Sequence, residues 1–152
     1  MSKKARKTKK QTMKKPKIPG RLPGDPSKAE MIKRMIRVDQ AGEYGAVRIY
    51  EGQLSVLGKS ASAPALEHMA EQERRHLDAF NKLIPERRVR PTALLPLWHV
   101  AGFTLGAGTA LLGEKAAHAC TVAVEEVIDE HYPGQIARLD AEGGEKKFRD
   151  RL

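Results

Sequence analysis

The chain has 152 residues, 40% of them apolar and 31% charged, with a single cysteine and a net charge of +9. That length suits one domain with a sizeable core. One cysteine excludes an intramolecular disulfide and any Cys-x-x-Cys zinc site, and the chain therefore reads as intracellular. The charge looks like a nucleic-acid signal until it is divided: residues 1–30 hold 11 Lys/Arg against 2 Asp/Glu, and the remainder is neutral, with 17 of each sign.

Residues 1–26 form the first segment. Lys3, Lys4, Lys7, Lys9, Lys10, Lys14, Lys15 and Lys17 precede Pro19, Pro23 and Pro26, with few apolar residues between them. The composition predicts a disordered basic tail. It lacks the apolar run of a secretory signal and the arginine-rich periodicity of a mitochondrial presequence. Such an arm suits an anionic lipid surface first, a merely solubilising role second, and nucleic acid last; the neutral charge of the rest argues against nucleic acid as a partner.

The folded domain is expected over residues 27–152. Ser27 with Glu30 three residues on reads as a capping box, and Ile32, Ile36, Val47, Tyr50, Leu54 and Leu57 follow at helical spacing until Gly58. Glu43 falls on that apolar face. After a short loop, Pro64 opens a second helix with Leu66, Met69, Leu77, Phe80 and Ile84 on one stripe, and Glu73 and His76 in its middle. Pro85 and the basic run Arg87, Arg88 and Arg90 close it.

Residues 94–113 carry no charge and include Trp98, His99 and the spacing Gly102-x-x-x-Gly106. About 20 apolar residues is the length of a membrane crossing, and glycines at that spacing suit close helix contact in lipid. Pro96, His99 and the glycines dilute the run, so an interfacial or hairpin-forming segment is favoured over a buried bundle helix, and both over a true span. A last helix is expected from about Glu114 to Leu139, with Thr121, Glu125, Ile128 and Tyr132 aligned, before Gly143-Gly144 and a charged end.

Acidic residues on apolar stripes carry the chemistry. A carboxylate at such a position costs several kcal/mol if unpaired, so Glu43, Glu73 and Glu125 need a reason to be there. Glu73 and His76, at i and i+3, project from one helix face and can hold one metal ion together. A glutamate from one helix and a Glu-x-x-His pair from the next is half the ligand set of a di-metal carboxylate bundle, and Glu125 looks like the start of the second half. Carboxylates with some imidazole suit iron or manganese. Asp39 and Asp129, each one turn from a candidate ligand, are candidates to orient it; the alternative is a surface acid in a helix pair. His131 and Tyr132 lie about two turns beyond Glu125. Glu67, Glu71 and Glu126 fall off the stripes, His99 and His118 read as packing or surface residues, and Cys120 reads as a small core residue.

Five runs, Ile36 to Ala46, Glu73 to Leu77, Val89 to Trp98, Leu105 to Gly113 and Ala119 to Glu126, together resemble the demethoxyubiquinone hydroxylase family over roughly residues 30–139. The resemblance implies an all-α, ferritin-like four-helix bundle with an extra hydrophobic membrane-docking helical segment. It also implies a di-iron monooxygenase of ubiquinone biosynthesis, peripheral on a membrane, that uses dioxygen to hydroxylate a polyprenylated demethoxyubiquinol with electrons from NADH. Glu43, Glu73, His76 and Glu125 match family iron ligands, and His131 with Tyr132 match a His-Tyr pair near the site. A homo-oligomer or a lipid-presenting partner protein is compatible with this reading. The expected location is the cytoplasmic face of a bacterial cell membrane, with the matrix side of the mitochondrial inner membrane as the alternative.

The end of the chain departs from the pattern. A 30-residue spacing after Glu125 puts the closing Glu-x-x-His near position 155, and Phe148-Arg149-Asp150 resembles the approach to that pair, yet Leu152 stands where its Glu should be. The expectation is a domain incomplete at the C-terminus with weak or partial metal binding. The rival reading is a catalytically inactive homologue that retains quinone or membrane binding.

Overall fold

A computed structural model describes residues 22–141, 143 and 145–149. The basic tail up to residue 21 and the positions from 150 to Leu152 lie outside the described residues, as does the side chain of Asp129. Five helices account for the described fold: α1 (Lys28–Leu57), α2 (Ala63–Glu86), α3 (Leu95–Leu111), α4 (Glu114–Ala141) and the short α5 (Lys146–Arg149). No strand occurs among the described residues. The expected all-α bundle is therefore the observed fold class.

Helix α1 is the axis on which the others pack, and its start is written locally. Ser27 Oγ accepts from the Glu30 backbone N–H, and the Glu30 carboxylate accepts from the Ser27 N–H, closing the expected capping box. Gly58 caps its C-terminus. Pro64 occupies the first turn of α2, where a missing N–H costs nothing, and α2 runs one residue beyond Pro85 to Glu86.

The main apolar core joins Met31, Ile32, Met35 and Ile36 of α1 with Phe80 and Leu83 of α2, Val89 of the following turn, Leu139 of α4 and Phe148 of α5. Phe148 is only 1% exposed, so the segment read as a charged end contributes a core anchor. A second cluster, Tyr50, Leu66 and Ala70, closes the other end of the α1–α2 pair.

Helix α3 lies so close on α1 that backbones touch. A Cβ at Gly106 would stand 2.0 Å from the Ile49 carbonyl oxygen, one at Gly52 2.2 Å from that of Phe103, and one at Gly102 2.9 Å from Arg48 Cβ. The Gly102-x-x-x-Gly106 spacing thus serves a contact inside this chain. Arg48 straps the pair from outside, donating to the His99 carbonyl at 3.2 Å with its guanidinium 4.9 Å from the Phe103 ring centre. The opposite side of α3 leaves Leu97, Val100 and Leu111 exposed. Among the described residues no helix is long and apolar enough to cross a membrane.

A carboxylate and histidine cluster beside an apolar groove

Helical phase on α1 and α2 brings three of the sequence-predicted residues together. One ligand atom from each of Glu43, Glu73 and His76 lies within 4.8 Å of the others, a grouping able to hold a metal ion. His76 Nδ1 is 3.8 Å from Glu43 Oε2 and 3.7 Å from Glu73 Oε2. The two glutamates are buried, whereas the His76 side chain is 61% exposed and forms the open side of the group.

Two buried carboxylates side by side resist carrying two charges. Burial first, then the adjacent Glu43 carboxylate, with a smaller contribution from Glu125, pushes Glu73 up to about 8. Glu43 Oε2 is buried and has no hydrogen-bond partner. Its other oxygen accepts from the Tyr132 hydroxyl of α4 at 2.5 Å. Burial and then Glu43 raise the Tyr132 phenol, so it remains a donor. The donor set of two buried carboxylates and one imidazole fits a hard or borderline divalent ion such as iron or manganese.

Glu125 stands next to this group without joining it. Its Oε1 accepts from the Tyr50 hydroxyl at 3.0 Å, and it belongs to no ligand grouping with the other three. His131 and Asp39 meet at the opposite edge, with His131 Nε2 3.5 Å from Asp39 Oδ1. Gln135 bridges them: its Nε2 donates to Asp39 Oδ1 at 2.5 Å and lies 2.7 Å from His131 Nε2. Burial raises Asp39 to about 7, opposed by the Gln135 hydrogen bond and helped by Glu43.

Sequence reading missed Gln135 and Gln53, and placed Tyr50 and Thr121 only as members of helical stripes; Gln53 Nε2 donates to the Ala117 carbonyl at 3.0 Å and to Thr121 Oγ1 at 3.3 Å. Gln53 is fully buried among apolar neighbours on α1, which was the available signal for it. His99 and His118 are exposed; His99 Nδ1 lies 2.6 Å from the Tyr44 hydroxyl, and His118 Nε2 3.3 Å from Ser62 Oγ. Glu67, Glu71 and Glu126 are exposed as expected. Cys120 differs from its expected core position: it is half-buried on a cavity wall, because α4 stands off from α1 and α3 at that level.

That standoff opens a groove of about 910 Å³ between α1, α3 and α4, lined by residues such as Ala46, Ile49, Trp98, Leu105, Cys120 and Val124. A smaller cavity of about 150 Å³ adjoins it and is lined by Asp39, Glu43, His131 and Tyr132. Val38, Gly42, Val127 and Ile128 line both. A large apolar space therefore adjoins a small one, itself walled mostly by apolar surface, whose lining includes Glu43. A volume of this size and lining is typical of a site for an apolar small molecule.

Comparison with known proteins points the same way. A family model described as ubiquinone biosynthesis protein COQ7 matches residues 30–152. The 3-demethoxyubiquinol 3-hydroxylase of Rhodospirillum rubrum is 68% identical over 120 residues, covering 78% of this chain and 57% of that protein. The mitochondrial NADPH-dependent 3-demethoxyubiquinone 3-hydroxylase of Mus musculus is 59% identical over 115 residues, 76% of this chain and 53% of its own. For the mitochondrial 5-demethoxyubiquinone hydroxylase of Saccharomyces cerevisiae the identity is 50% over 115 residues, with 74% and 49% covered. The chain spans about half the length of these curated relatives.

Proposed function

Because this chain belongs to the COQ7 family of ubiquinone biosynthesis proteins, we propose that it acts as a hydroxylase on a demethoxyubiquinol or demethoxyubiquinone, with iron held by Glu43, Glu73 and His76. The single observation carrying the reading is the juxtaposition of that three-residue group with an apolar groove of about 910 Å³ that adjoins a smaller cavity lined in part by Glu43. Glu125, on the same side of the bundle and felt electrostatically by Glu73, is the proposed fourth ligand, reached once it leaves Tyr50.

The chain's own residues divide the work. The apolar groove takes the prenyl tail and keeps water from the ring. The Tyr132 hydroxyl holds Glu43 through Oε1, leaving Oε2 for a cation. Gln135 and Asp39 fix the His131 ring at the edge of the small cavity, where its imidazole can accept or return a proton from a ring hydroxyl. Iron, when bound, supplies the activation of dioxygen. One oxygen atom replaces a ring hydrogen as hydroxyl and the other leaves as water, with two electrons from a reduced nicotinamide. The mouse relative's name specifies NADPH, where the sequence reading expected NADH.

The proposed setting is the surface of a membrane, the bacterial cytoplasmic face by likeness to the Rhodospirillum rubrum protein. The exposed residues Leu97, Val100 and Leu111 of α3 would lie in the lipid beside the groove, with the basic N-terminal segment adding attraction to anionic headgroups. The test is turnover by the full chain loaded with iron, given a short-tailed demethoxyquinol, ¹⁸O₂ and either NADH or NADPH. A hydroxylated quinol carrying one labelled oxygen is expected. Iron bound at Glu43, Glu73 and His76 without labelled product would overturn the assignment.

A further inference from the structure

Glycines inside these helices are of two kinds. Gly52, Gly102 and Gly106 have no room for a side chain, since backbone or Arg48 atoms of the facing helix fill it. At Gly42, Gly45 and Gly108 an added Cβ would meet no protein atom within 4 Å. Glycine in a helix interior is less stable than alanine, because it gives up more backbone freedom on folding. Gly42 and Gly45 sit in the middle of α1 and bring no packing in return.

Both face the cavities. Gly45 lines the large apolar groove, and Gly42 lines the groove and the small cavity alike. Asp39 and Glu43 flank that small cavity, 4% and 3% exposed. Each has a buried carboxylate oxygen, Asp39 Oδ2 and Glu43 Oε2, with no hydrogen-bond partner. Gly42 therefore stands where the large groove meets the small cavity, above the buried Asp39 and Glu43, and a missing side chain there leaves volume that nothing in the protein uses.

We propose that Gly42 is a specificity-determining position: its bare backbone keeps open the passage from the apolar groove to the Glu43 pocket, and the width left there limits the substituents on a quinone ring. The inference rests on the quinone reading above. Gly108 supplies a matched control, being an exposed helical glycine with equally open space that lines neither cavity.

The single tryptophan, Trp98, lies on the groove wall, so quenching of its emission by quinones reports occupancy directly. Full-length wild type, Gly42→Ala, Gly42→Val and Gly108→Ala are titrated with two short-tailed benzoquinones, one with a single ring methoxy group and one with two, and their thermal unfolding is followed. Gly42→Ala and Gly108→Ala are each expected to raise Tm by about 2–4 °C. Gly42→Ala should weaken the one-methoxy quinone about threefold and the two-methoxy quinone about tenfold, Gly42→Val should weaken both further, and Gly108→Ala should bind as wild type does. Wild-type affinity in Gly42→Ala for both quinones, or a lower Tm, overturns the role of Gly42 while leaving the quinone reading intact. Absence of saturable quenching in the wild type removes the quinone reading and this inference with it.

Discussion

Helix α1 meets two neighbours in opposite ways. Against α3 it makes a dry seam in which glycines let backbones touch. Against α4 it stands apart and is bridged by polar side chains: Tyr50 to Glu125, Gln53 to Thr121, Glu43 to Tyr132 and Asp39 to Gln135. The first arrangement is a device for stability, since close packing leaves no volume for anything else. In the second, buried carboxylates and cavities cost stability and leave room for a cation and an apolar ligand. The same helix serves both because its two faces alternate along its length, Gly52 turned to α3 and Glu43 turned to the cluster.

Substitutions should therefore hurt very differently on the two sides. Gly106→Leu forces side-chain atoms into the Ile49 carbonyl, which a Cβ alone would approach to 2.0 Å. A loss of about 3 kcal/mol or more is expected in chemical unfolding, and a loss under about 1 kcal/mol would mean the seam is looser than described. On the other side, Tyr132→Phe removes the donor to Glu43 and leaves that buried oxygen bare. About 1–3 kcal/mol is expected from the same measurement on metal-free protein.

The acidity of the α4 side sets a pH dependence that the α3 side lacks. Glu73 and Asp39 are raised to about 8 and about 7, so between pH 5 and 7 the folded state holds protons that the unfolded chain has released. Stability conferred by those protons is complete below the ordinary carboxylate range and falls as pH rises through the folded values. The slope should be about 1 kcal/mol per pH unit for each of the two groups in metal-free protein. Added Fe(II) or Mn(II) should flatten it, because a metal at Glu73 replaces the proton. Unfolding curves at pH 5.5 and 8 with and without the ion check this; a metal-free stability that rises with pH contradicts it. The smallest effect belongs to Ala123→Leu on the groove wall, expected within about 0.5 kcal/mol of wild type because the space is there to take it.

Much of this was legible in the sequence, and the reason is locality. The Ser27 and Glu30 box, the Gly58 stop and the grouping of Glu73 with His76 depend on residues three or four apart, where helix geometry decides. Glu43 could be placed because the apolar stripe of α1 defines the face that meets α2. What escaped depends on how distant helices lean. Gln135 reaches Asp39 across 96 positions, and nothing in its own surroundings marks it. Glu125 has the right phase, yet the tilt of α4 hands it to Tyr50. Gly102 and Gly106 were recognised as contact residues but not matched to Gly52, since periodicity gives spacing without a partner. Phe148 looked like part of a charged end, and only the turn after α4 brings it back into the core.

The most direct test of the account is an anaerobic Fe(II) titration of the full chain beside His76→Ala and Glu73→Ala. The account predicts saturable binding in the wild type, weakened by a factor of about ten to a hundred when either ligand is removed, by analogy with the cost of disturbing a metal site. Iron bound equally well by the variants would contradict it.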